Sequence, residues 1–135
     1  MQKLGIAPQV PMATLARLGL AVAVIAVCYG AFGPPSARPL LPWDKAVHFA
    51  AFFVLTVLSL VSFPRTPALV IGAALSVFGG AIEIVQGLSV IGRDREAGDW
   101  AADTLATVAA LSVLVAARLR ASAAGKLRRP LLEEG

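Results

Sequence analysis

The stretch Ala68-Leu69-Val70-Ile71-Gly72-Ala73-Ala74-Leu75-Ser76-Val77-Phe78-Gly79-Gly80-Ala81-Ile82-Glu83-Ile84-Val85-Gln86-Gly87-Leu88 holds one ionisable residue, Glu83, near its far end. About 20 helical residues cross roughly 30 Å of hydrocarbon, so a run of this length and character reads as a membrane span. Three more apolar stretches resemble it: about Thr14 to Phe32, Ala46 to Phe63 and Trp100 to Ala117. The breaks between them are Gly33-Pro34-Pro35, Pro64-Arg65-Thr66-Pro67 and the charged segment from Gly92 to Asp99. Pro and Gly end helices where water or headgroups can satisfy the released backbone.

Composition agrees with the spans. The chain has 135 residues, 58% hydrophobic and only 15% charged. Its mean hydropathy is +0.79, whereas a soluble domain of this size carries far more charge. The expected fold class is therefore all-α, an integral membrane bundle of four transmembrane helices. Residues 1–13 read as an N-terminal arm, 14–117 as one membrane domain and 118–135 as a basic tail. The first span is longer than a signal-peptide core of 7–15 residues and is expected to stay as a helix. The single Cys28 can form no internal disulfide. The net charge of +4 flanks apolar spans, so it orients the chain and does not point to nucleic acid.

Lysines and arginines set the expected direction. Lys3, Arg17, Arg65, Arg118, Arg120, Lys126, Arg128 and Arg129 share one side, and Arg38, Lys45, Arg93 and Arg95 the other. The positive-inside rule then puts both termini in the cytoplasm, with Trp43 and Trp100 at the outer interface. The tail from Arg118 to Arg129 is expected to meet anionic lipid on the cytoplasmic leaflet.

Six of the eight acidic residues and the one histidine gather at the opposite face. Asp44 and His48 are an i, i+4 pair opening span two, and Asp99 and Asp103 repeat that spacing in span four. Late in span three, Gln86 follows Glu83 at i+3. A stripe of Gly72, Ser76, Gly80, Glu83 and Gly87 suits close backbone approach in lipid, and Ala106 and Ala110 extend the Asp103 face. Plainer readings exist for each residue. Asp44 and Asp99 fit helix N-caps, His48 fits an interfacial histidine, and Glu83 fits an ion pair with Arg93 or Arg95. Ionisable groups from three spans at one depth are nevertheless expensive in a bilayer and point to a site. In the inner halves nothing matches this cluster, and Ser59, Ser62 and Ser76 alone make a poor relay for protons or ions.

Asp44-Lys45-x-x-His48-Phe49, Glu83-x-x-Gln86, Arg93, and Asp99 with a polar residue four positions on occur in the order that resembles the VanZ-like family of small membrane proteins. The resemblance covers about Trp43 to Ala110. Asp103 stands where that family usually has Asn, and Ala106 and its neighbours replace a Gly-rich segment. The resemblance implies a multi-pass protein of the bacterial inner (plasma) membrane, linked in one member to glycopeptide (teicoplanin) response. It supplies no reaction.

Three functions follow as expectations. The first is binding of a membrane lipid or lipid-linked cell-wall precursor by Asp44, Lys45, His48, Glu83, Gln86, Arg93, Asp99 and Asp103. Lys45, Arg93 and Arg95 would then take a phosphate or carboxylate. The second is an enzyme on a lipid-linked envelope substrate, with His48, Glu83 and Asp103 as acid/base candidates. No nucleophile motif accompanies them, so binding is favoured over catalysis. The third is a structural or partner-binding role in which the polar cluster locks the bundle. No cofactor is expected, and the spacing of His48, Glu83, Asp99 and Asp103 matches no familiar metal signature.

Overall fold

The computed structural model describes residues 11–33, 44–88 and 97–128, with the side chains of Asp44 and of residues 124–128 excepted. These residues form four helices and no strand: α1 (Met12–Phe32), α2 (Asp44–Ser62), α3 (Ala68–Gln86) and α4 (Ala97–Arg128). All four are long and apolar enough to span a membrane. Pro11 and Pro67 immediately precede α1 and α3. A proline there forgoes only an N–H that the first helical turn leaves unbonded.

Successive helices alternate in direction, and α2 packs against α1, α3 and α4. The distribution of polarity is inverted relative to a water-soluble bundle. Leu69, Val77, Val22 and Leu105 are among the most exposed side chains, whereas Thr56, Ser59, Ser62, Glu83, Gln86, Asp99, Asp103 and Thr107 are buried. Lipid is as apolar as leucine, so outward faces need no sequestering, and helix association relies on close packing and hydrogen bonds.

Close packing centres on α3 and α4. A Cβ added at Gly72 would lie 2.8 Å from Leu111 Cδ1, and one at Gly79 would lie 2.9 Å from Asp103 Oδ2 and 3.3 Å from Phe52 Cζ. Gly80, expected at the contact, meets Trp100 only at an ordinary 3.6 Å, and Gly87 is an exposed residue just past the end of α3. Gly72 thus sits at the interface as its place in the small-residue stripe implies, but the other close approach, at Gly79, falls one residue off that stripe. A rotation of about 100° per residue makes adjacent glycines face different neighbours.

Polar clasps fasten the remaining pairs. Gln86 Nε2 donates to Ala31 O at 3.1 Å, joining the end of α3 to the last turn of α1. Arg17 Nε donates to Ser62 O at 3.1 Å, and its guanidinium lies over the Phe63 ring. Each satisfies a carbonyl in a last helical turn, where no intrahelical donor follows. Trp100 Nε1 donates to Ser76 O, and the Ser76 and Thr104 hydroxyls are 3.0 Å apart.

α4 also runs past the tail boundary expected at residue 118, as one helix to Arg128. Its 32 residues reach about 48 Å, well beyond a ~30 Å hydrocarbon core. The segment Arg118-Leu119-Arg120-Ala121 consists of strong helix formers, and no proline intervenes before Pro130.

Candidate functional site

Two registers bring the ionisable groups to one end of the bundle. α3 and α4 are antiparallel, with Gly72 beside Leu111, Gly79 beside Asp103 and Gly80 beside Trp100. One turn further along α3, Glu83 comes level with Asp99. α2 and α4 run parallel, and their side chains meet at Lys45–Asp99, His48–Asp103 and Thr56–Thr107.

His48 is the hub. Its Nδ1 lies 3.1 Å from Asp103 Oδ1, within hydrogen-bond distance, so an Nδ1–H donates to that carboxylate. Its Nε2 is 3.7 Å from Asp99 Oδ2, close enough for electrostatic attraction but too long for a good hydrogen bond. Lys45 Nζ donates to Asp99 Oδ1 at 3.4 Å. The i, i+4 spacing of Asp99 and Asp103 lets one imidazole address two carboxylates a turn apart on α4. Asp103 is only 1% exposed, whereas Lys45 is exposed. The network therefore grades from a buried carboxylate to a cation at the rim.

Glu83 is buried on α3, at 3% exposure. It borders an open cavity of about 210 Å³ lined also by Gly80, Ile84, Ala97 and Trp100. Ile84 and Trp100 are exposed, so this cavity opens at the bundle surface with a buried carboxylate in its wall.

Gln86 directs its amide to α1. Asp44 is the first residue of α2, with its side chain outside the description, and Arg38, Trp43, Arg93 and Arg95 lie outside the described residues. Among the described residues no three His, Cys, Asp or Glu side chains are grouped to hold a metal ion.

A polar seam continues inward through two threonines, in addition to the serines expected there. Thr56 Oγ1 donates to Phe52 O at 2.7 Å and lies 3.3 Å from Thr107 Oγ1, which donates to Asp103 O at 3.0 Å. Both threonines are almost fully buried. Each follows a residue of the cluster's helical face at i+4, the signal that could have found them: Thr107 after Asp103, and Thr56 four residues beyond Phe52.

Chemically, the assembled end offers carboxylate acceptors from Glu83, Asp99 and Asp103, one imidazole and one ammonium. That set suits hydroxyl, amide or amine groups presented by a ligand. No family model, curated protein or solved structure matches this chain.

Proposed function

We propose that this protein binds the polar headgroup of a lipid or lipid-linked cell-wall precursor at the extracytoplasmic end of its bundle. The observations carrying this reading are the His48-centred network of Lys45, Asp99 and Asp103 and, at the same end of the bundle, an open surface cavity with Glu83 in its wall. A purely structural cluster needs no opening to lipid, whereas an amphiphile can enter from the bilayer and meet carboxylates at headgroup depth. The resemblance to the VanZ-like family supports a place in the cell envelope and a contribution to glycopeptide response.

Native mass spectrometry of the chain extracted with its own lipids tests the binding. Wild type is expected to retain an adduct of defined mass, and Glu83→Ala to lose it while keeping its helical circular dichroism. The same adduct on a folded Glu83→Ala would refute binding at this end.

The proposed topology has both termini in the cytoplasm of a bacterial inner membrane. Its support is a charge separation: among the described residues the acids Asp44, Glu83, Asp99 and Asp103 all lie at one end, and Arg17, Arg65, Arg118 and Arg120 all lie at the other. A C-terminal tag in intact spheroplasts is expected to resist external protease. Digestion of that tag would reverse the orientation and place the His48 network inside.

A further inference from the structure

The arginine end of the bundle is an assembled surface and not merely a tail. Arg17 belongs to α1, Arg65 to the turn between α2 and α3, and Arg118 to α4. Three independent registers put them at one level. The bond from Arg17 to Ser62 O ties α1 to the last turn of α2, three residues before Arg65. The antiparallel pairing of Gly72 with Leu111, extended one turn to the start of α3 at Ala68, brings that start level with about Val115, three residues short of Arg118 as Arg65 is three residues before Ala68. The parallel offset of α2 and α4, seen at His48–Asp103 and Thr56–Thr107, carries the Arg65 turn to the same height.

Helical phase selects among the α4 arginines. Arg118 follows Thr107 by about three complete turns and so shares the face that α4 presents to α2 and α3. Arg120 lies on roughly the opposite face. All of these arginines are exposed, and no acidic side chain among the described residues lies at this end. Arg17 alone has a fixed intramolecular partner there among the described residues, and its Nε bond leaves the other guanidinium N–H groups for further acceptors.

We propose that Arg17, Arg65 and Arg118 form a docking surface for anionic phospholipid, whose phosphodiesters bridge the α2–α3 turn to α1 and α4. Charge complementarity favours this occupant: the three arginines come from α1, the α2–α3 turn and α4 to one end of the bundle, with no described acidic side chain at that end, and planar guanidinium matches phosphate oxygens. The surface is at the opposite end from the His48 network, so it does not depend on the ligand proposed there.

The test is thermal unfolding of the purified full-length chain in neutral detergent, titrated with phosphatidylglycerol, phosphatidylcholine or inorganic phosphate. Phosphatidylglycerol is expected to raise Tm by about 4 °C, in line with ligand-linked stabilisation of a small domain. Neither phosphatidylcholine nor inorganic phosphate should do so. Arg65→Gln/Arg118→Gln should lose at least half of that shift and keep its lipid-free Tm, because neither side chain bonds within the described bundle. Arg120→Gln should keep the shift. Equal loss in Arg120→Gln and Arg118→Gln would reduce the effect to general attraction and overturn the surface. An undiminished shift in the double variant, or the same shift with inorganic phosphate, would also overturn it.

Discussion

Gly79→Leu is expected to separate α3 from α4, with a loss of about 3 kcal/mol in reversible unfolding from mixed micelles. A single added Cβ would already sit 2.9 Å from Asp103 Oδ2 and 3.3 Å from both Asp103 Cβ and Phe52 Cζ. The rest of a leucine has no room unless the helices part, and overpacking of this kind costs about 1–3 kcal/mol. The displaced carboxylate also leaves His48, adding the loss of an interhelical bond of about 0.6–1.7 kcal/mol. Gly80→Ala is the matched control. Its new methyl would meet Trp100 at 3.6 Å, an ordinary contact, so stability should change by less than about 0.5 kcal/mol. If Gly79→Leu unfolded at the wild-type denaturant midpoint, the register that sets Gly79 against Asp103 would be wrong.

The second large effect concerns Asp103. Asp103→Ala removes a side chain that is 1% exposed and bonded to His48, and should cost about 2 kcal/mol, within the range for losing one buried polar partner. Asp103→Asn keeps the shape and an oxygen acceptor for His48 Nδ1–H, so it should cost less than half as much. A double-mutant cycle isolates the bond. Asp103→Ala and His48→Ala should together cost about 1 kcal/mol less than the two separately, because the second substitution finds the interaction already gone. Strict additivity would mean that the 3.1 Å approach of His48 to Asp103 contributes nothing, and the cluster would then be held by helix packing alone. The Thr107 bond to the Asp103 backbone carbonyl survives either substitution, so α4 should stay helical throughout.

These residues also mark the reach of local sequence patterns. Asp103 and His48 are legible because a charged group inside an apolar run is conspicuous, and i, i+4 spacing assigns a helix face without knowledge of the partner. Gly79 is not legible as a site of closest contact. It sits beside Gly80 in the same glycine pair, and nothing local states which of the two packs tightly against α4 and which meets it only at ordinary contact distance. Gln86 illustrates the same limit. Its i+3 spacing from Glu83 gives its depth and approximate face, and only packing shows its Nε2 donating to the Ala31 carbonyl of α1. Thr56 and Thr107 are ordinary residues in an apolar helix until their helices are laid side by side, when two separate threonines become one buried pair.

Four spans, their breaks and the end at which the carboxylates and His48 lie can all be read from the chain without coordinates. Hydropathy, proline position and residue rise are local quantities, and a bilayer of fixed thickness converts them directly into depth. Azimuth is another matter, and it emerges when the helices pack. Packing settles which face of each helix meets which neighbour, hence His48 against Asp103, Gly79 against the same carboxylate, and Gln86 against α1. Rotation about a helix axis leaves depth and hydropathy almost unchanged in lipid. It is chosen by steric fit and hydrogen bonds between segments distant in the chain.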